Sequence, residues 1–203
     1  MILFWLLERN NTFQSMSFPL QVANSFFTSV TIRSGGYLTV TLHDMQNASL
    51  FAIMVNAFIG AAPGSTGSGI KLTTMAIFIA TINSAIQGKP SVDLGGRRIM
   101  KDQVYRSLSI VALSLFWIML MTFFLLITES SWNFLAIIFE VFSAFSTLGA
   151  AIGITPYLSI LGKFLIILSM FIGRIGSLTL MIALRKNIEK SDFSYPEERV
   201  MIT

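Results

Sequence analysis

Trp132-Asn133-Phe134-Leu135-Ala136-Ile137-Ile138-Phe139-Glu140-Val141-Phe142-Ser143-Ala144-Phe145 is apolar enough for a membrane and too short to cross one. A bilayer core is about 30 Å thick and takes about 20 helical residues. This run lies between two stretches that are long enough. Tyr105–Thr128 is a clean span, and Tyr157–Leu184 crosses with some tilt. Lys89, Arg97, Arg98 and Lys101 precede the first span and Arg106 lies at its start, and Arg185, Lys186, Lys190 and Arg199 follow the second. Basic loops favour the cytoplasm, so both ends of this region belong on one side. Two crossings satisfy that, and the short run must dip in from the outer side and return.

Composition sets the class. Of 203 residues, 54% are apolar and 12% charged, where a soluble domain carries roughly a quarter charged. The chain is read as an all-α, multi-pass protein of the cell membrane with lipid as its surroundings. The formal charge of +4 follows the basic flanks of the spans, so nucleic acid is not expected as a partner. There is no cysteine and one histidine, His43, read as a surface loop residue. That leaves no disulfide, no metal cluster and no nucleophile–base pair, so neither an enzyme nor a bound cofactor is expected. Met1–Leu7 is apolar but lacks the basic start and small-residue cleavage site of a signal peptide.

The pattern is duplicated. Phe58-Ile59-Gly60 returns as Phe171-Ile172-Gly173, an offset of 113 (171 less 58). Gly36 meets Gly149 and Phe26 meets Phe139 at the same offset. Each unit reads as spanning helix, short re-entrant helix, glycine-containing turn, spanning helix. The short run of the first unit is Phe18–Val30. Its opening helix is expected to be mostly missing, with Met1–Leu7 as the last turns.

The first unit's closing stretch, Ser49–Gln87, holds a break: Ala61-Ala62-Pro63-Gly64-Ser65-Thr66-Gly67-Ser68-Gly69. As one helix the stretch would be about 58 Å long, well beyond a bilayer core, so an interruption is expected. The glycines suggest a phosphate loop. That motif needs Gly-Lys followed by Ser or Thr, whereas Ile70 separates Gly69 from Lys71 and Leu72 follows. Arg174 lies about mid-bilayer in the closing span, where an unpaired charge costs at least about 2.5–3.5 kcal/mol; carbonyls freed in the broken helix are natural partners. Arg33 either positions the glycine turn or faces water. Glu140 either attracts cations or pairs with a basic neighbour.

Four ordered segments carry a resemblance. Val30-Thr31-Ile32-Arg33-Ser34-Gly35-Gly36-Tyr37 resembles the third filter segment of the Ktr/Trk/HKT potassium-transporter superfamily. Phe58–Lys71 is similar to its intramembrane gating loop. Phe139–Gly149 resembles the fourth filter segment, and Phe171-Ile172-Gly173-Arg174-Ile175-Gly176 the closing helix with its buried arginine. The Ktr-type (TrkH-like) membrane subunit matches best, over its C-terminal half.

The resemblance implies potassium transport through a filter lined by backbone carbonyls, with Ser34, Gly35, Gly36, Thr147, Leu148 and Gly149 as filter residues. Potassium is then the transported ligand and the only metal. It implies a gate made of Ala61 to Gly69, Lys71 and Arg174. It divides the chain into a third-type repeat (1–87), a cytoplasmic loop (88–104), a fourth-type repeat (105–186) and a cytoplasmic tail (187–203). Family members carry four repeats and work as dimers with a cytoplasmic nucleotide-binding regulatory ring. The expected partners are therefore companion repeats or a second copy, and that regulatory subunit. A sodium-permeable transporter and a non-conducting truncated fragment are the alternatives. Gly35, where the family often has Ala, and Ala150-Ala151 depart from the usual pattern.

Overall fold

The computed structural model describes residues 1–65, 67–89 and 91–176. Thr66 of the broken helix, the end of the Tyr157–Leu184 span and the tail 187–203 lie outside the described residues. In order, the elements are α1 (Ile2–Glu8), α2 (Phe18–Thr31), α3 (Asn47–Phe58), α4 (Leu72–Ile86), β1 (Asp93–Leu94), β2 (Arg97–Arg98), α5 (Lys101–Thr128), α6 (Phe134–Ser146) and α7 (Ile160–Ile175). Single 3-10 turns occupy Leu42–Asp44 and Thr155–Tyr157.

The 28 residues of α5 give a rod about 42 Å long. Among the described residues it is the one helix both long and apolar enough to cross a membrane. It starts at Lys101, four residues before the apolar stretch does, because Asp102 and Arg106 pair at 2.9 Å one turn apart and extend the helix into its polar flank. Ser107, Val111, Ser114, Ile118, Met121 and Leu125 recur every three or four residues as a buried stripe. Phe116, Met119, Phe123 and Ile127 are exposed on other faces, as lipid contact requires.

The 13-residue α6 is at the centre. It packs against α3, α5 and α7, and Phe139 and Val141 are wholly buried. One cluster joins Val111, Ile118, Leu125, Val141, Phe145 and Ile166. A second joins Phe4, Leu50, Ile53, Phe139 and Leu148. Gly173 lets α7 touch the end of α6, since a Cβ there would run into the backbone of Phe145.

Two features fall outside the all-α reading. The strands β1 and β2 pair antiparallel across Gly95 and Gly96, whose φ angles of 58° and 77° suit a two-residue hairpin turn. Two glutamates then tie the helix starts. Glu8 is fully buried; its Oε1 accepts from the Gln46 N–H at 3.0 Å and from the Ser49 hydroxyl, and its Oε2 from Asn11 at 2.8 Å and Thr12 at 2.9 Å. Glu129 Oε1 accepts from the Ser159 N–H at 2.9 Å. Gln46 and Ser159 are the N-caps of α3 and α7, so the last residue of α1 and the residue just after α5 each hold the start of a later helix.

Glu8→Ala strips four donors of their acceptor, and a buried unsatisfied group costs about 1–3 kcal/mol. We expect thermal unfolding of the detergent-solubilised chain to occur well below that of the wild type. An unchanged midpoint would show that α3 does not depend on this carboxylate.

Candidate functional site

Both glycine-containing turns follow short apolar helices. After α2 the chain passes Ile32, Arg33 and Ser34, and the Gly35 N–H donates to the Thr31 carbonyl at 2.8 Å. After α6, Thr147 takes a left-handed conformation and the Leu148 N–H returns to the Ser143 carbonyl at 3.0 Å. Ser34 (φ 102°) and Thr147 (φ 51°) are the two non-glycine residues with positive φ among the described residues. A β-branched residue there is strained, and such strain concentrates where function requires it.

The two turns meet. Ser34 Oγ donates to the Thr147 carbonyl at 3.0 Å, across 113 residues of sequence. Gly36 (φ 68°) lies against Leu148 and Gly149 (φ 81°): a Cβ on Gly36 would stand 3.0 Å from the carbonyl oxygens of both. Two backbones this close leave no room for a side chain. Gly35 is exposed, although a Cβ on it would come within 3.1 Å of the Thr31 carbonyl oxygen. The structure thus brings Ser34 and Gly36 of the first turn against Thr147, Leu148 and Gly149 of the second, while Gly35 lies against Thr31 of its own turn. It also gives the Thr147 carbonyl a hydroxyl partner that sequence did not indicate.

The broken helix is real backbone geometry. α3 ends at Phe58 and α4 begins at Leu72. The neck of the intervening loop is closed by Gly60 N–H to the Ile70 carbonyl at 2.8 Å, Ile70 N–H to the Phe58 carbonyl at 3.1 Å and Leu72 N–H to the Ala61 carbonyl at 3.3 Å. Gly60 has no space for a Cβ beside the Ser68 carbonyl, and Gly69 has a φ of 79°. Inside the loop Lys71 Nζ donates to the carbonyls of Ser65 at 2.9 Å and Gly67 at 2.7 Å. Gly67 and Ser68 are buried, while Ala62, Pro63, Gly64 and Ser65 are exposed.

Arg33 has a partner that its sequence neighbours do not reveal. Its guanidinium donates to the Ile59 carbonyl at 3.2 Å, linking the first turn to the start of the loop. Of the two readings open for this residue, positioning is the one that geometry favours. Arg174 lies in the last turn of α7 with its side chain exposed, where the resemblance implied a buried arginine. Glu140, 4% exposed, accepts from the Thr155 hydroxyl at 3.1 Å. It makes no ion pair: the one salt bridge among the described residues is Arg106–Asp102. His43 is exposed in the 3-10 turn Leu42–Asp44. The described residues include no cluster of His, Asp or Glu able to hold a metal ion, and the polar groups facing one another at the turns are carbonyls and hydroxyls.

Residues 1–195 match the TrkH family, described as cation transport protein. The chain is 36% identical to the potassium/sodium uptake protein NtpJ of Enterococcus hirae over 99% of its own length and 46% of that protein. It is 38% identical to the Ktr system potassium uptake protein D of Bacillus subtilis over 97% of its length and 43% of that protein. The chain therefore spans less than half the length of these relatives. The crystal structure of the potassium transporter TrkH from Vibrio parahaemolyticus has the same fold over 91% of this chain and 41% of that one, with a TM-score of 0.73 at 18% identity. The relatives are transporters rather than enzymes. On the family match over nearly its whole length, this chain belongs to the TrkH family of cation transport proteins.

Proposed function

We propose that this chain supplies two walls of a four-walled, potassium-conducting pore in the cell membrane, as the third- and fourth-type repeats of a multi-pass transporter. The observation that carries the reading is the meeting of the two strained turns, Ser34 with Thr147 and Gly36 with Leu148 and Gly149. Element spacing supports the repeat. The turns Leu42–Asp44 and Thr155–Tyr157 start 113 residues apart, as do α3 and α7. The short helices α2 and α6 are the re-entrant ones, since 13 or 14 residues make only about 20 Å of helix.

In this pore a dehydrated potassium ion takes carbonyl oxygens of Ser34, Gly35, Thr147 and Leu148 in place of water, with a similar set from two further repeats. The glycines at 36 and 149 keep side chains off the axis. The Ser34 hydroxyl holds the Thr147 carbonyl when no ion does. Beneath the filter, the loop from Ala61 to Gly69 is the gate, with Lys71 fastening it from within, Arg33 holding its start and Arg174 anchoring it from α7. The other repeats come from a companion chain or a second copy, and a nucleotide-binding cytoplasmic subunit controls the gate. Sodium permeation is the second reading, favoured by the Enterococcus hirae relative, a potassium/sodium uptake protein.

Gly36→Ser puts a side chain where the opposing backbone leaves about 3 Å, and Gly149→Ser puts one 3.5 Å from the Gly36 Cα at a backbone φ of 81° that L side chains rarely adopt. Each should reduce the potassium-to-sodium preference of the assembled transporter by about tenfold, equivalent to about 1.4 kcal/mol. Ion uptake by cells lacking their own potassium transporters measures it, and unchanged preference in both variants removes the filter assignment.

Lys71→Gln exchanges two charge-assisted bonds, about 1.5–3 kcal/mol each, for neutral ones. It should raise flux in the closed state, as should deletion of Ser65–Ser68 and, more weakly, Arg174→Ala. Wild-type flux from the deletion at normal expression would mean that the loop is not the barrier.

Two walls do not complete a carbonyl ring, and lipid against an uncovered re-entrant segment is unfavourable. Reconstituted alone as a proven monomer, the chain should pass no selective potassium current; co-reconstituted with the first two repeats, it should. Robust selective flux from the monomer ends the two-wall reading.

A further inference from the structure

A cavity lies at the foot of α5, lined by no residue of the two glycine turns or of the loop 61–69. The Ile99 N–H donates to the Val92 carbonyl at 2.9 Å and extends the β1–β2 ladder by one rung. β1 packs against α4, and the cavity, of about 580 Å³, is lined by residues of α4, of the hairpin and of the first turns of α5. Val92, Ile99, Val104 and Leu108 give it an apolar wall. Arg98, Lys101 and Tyr105 line it as well.

We propose that this cavity binds an anionic phospholipid of the inner leaflet, with the phosphate between Arg98 and Lys101 and the glycerol and upper acyl chain against Val104 and Leu108. The proposal rests on the membrane topology given above. Three observations carry it. First, charge: residues 89–106 hold Lys89, Arg97, Arg98, Lys101 and Arg106 against Asp93 and Asp102. The one ion pair of the described residues joins Asp102 to Arg106, so Arg98 and Lys101 face the cavity with no carboxylate in ion-pair range. Second, depth: α5 is about 42 Å long and a bilayer core about 30 Å, so its first turns lie among headgroups. Basic pockets at that level suit anionic headgroups. Third, the lining: a soluble phosphate would engage Arg98 and Lys101 and leave Val92, Ile99, Val104 and Leu108 in water, whereas a lipid covers both kinds of residue.

Such a lipid has a mechanical consequence. α4 runs from the loop at Leu72 down to Ile86, and Thr81 on it lines the same cavity. A lipid wedged between α4 and α5 braces the helix that the loop must carry when it moves.

The test uses the purified chain in neutral detergent. Its binding of phosphatidylglycerol and of phosphatidylcholine is measured by native mass spectrometry, with helical content checked by circular dichroism. The site variant is Arg98→Gln with Lys101→Gln. A control, Lys89→Gln with Arg97→Gln, removes the same charge outside the cavity. The wild type should prefer phosphatidylglycerol, the site variant should bind it at least tenfold more weakly, and the control should change less than threefold. Inorganic phosphate and glycerol phosphate at millimolar concentration should fail to displace the lipid. Equal loss in both variants would reduce the effect to surface charge and overturn the site. Displacement by inorganic phosphate would make it a soluble-anion site, and equal binding of phosphatidylcholine would remove headgroup recognition; either overturns the proposal. Ion flux is not part of the readout. Selective lipid binding by a chain that fails to conduct with its companion repeats would refute the pore and leave this site standing, and normal flux without lipid binding would do the reverse.

Discussion

Irregular backbone inside a membrane must find its hydrogen bonds within the protein, and the rest of this structure is arranged around that requirement. Each unpaired N–H or C=O in hydrocarbon costs several kcal/mol. The chain breaks its helices in three places, after α2, after α3 and after α6. At each, local bonds satisfy the backbone: Gly35 to Thr31, Ile70 to Phe58, Leu148 to Ser143. What local bonds leave over is taken by side chains from far away in sequence, Ser34 for Thr147 and Arg33 for Ile59. Packing follows from the same need. The short α6 is wrapped by α3, α5 and α7, which would keep the turn at its end from lipid in the proposed re-entrant arrangement.

Much of this is legible in the sequence because its causes are local. A run of apolar residues states its own length, so the short helices and the long α5 can be read directly. The glycines at 36, 60, 149 and 173 are visible because a backbone pressed against another backbone tolerates nothing larger, and their common offset shows the spacing of the turns. The approach of Gly36 to Leu148 and Gly149 is the physical content behind that offset.

What the sequence hides is tertiary or falls off that register. Arg33 gives no sign that it reaches Ile59, since its partner is a carbonyl 26 residues away. Glu8 and Glu129 perform like tasks at the starts of α3 and α7, yet they are not 113 residues apart, because the connections before α2 and α6 differ in length. A search at fixed offset passes over them, although two carboxylates in so uncharged a chain are themselves a signal. The hairpin is missed because strands of two residues have no periodicity. Its one local mark is Gly95-Gly96, the pair that a tight turn prefers.

Electrostatics give the proposed pore its direction of control. In the proposed filter carbonyl dipoles would converge, and Glu140 is buried in α6 six residues before its end, so that region would favour a cation. Just beyond, Lys71 sits on the carbonyls of Ser65 and Gly67 and Arg33 on that of Ile59. A potassium ion within about 6 Å of one fixed positive charge, at an effective dielectric near 20, is repelled by about 3 kcal/mol. If the loop is the gate, as proposed, its closed form would bar the path by charge as well as by bulk, and it would use carbonyls that could otherwise help the ion through. On opening, Lys71 would carry the charge away with the loop and release those carbonyls to the pathway. One displacement would then remove a repulsion and supply an attraction, so on this proposal a small shift in α4 would be enough to change conduction by a large factor.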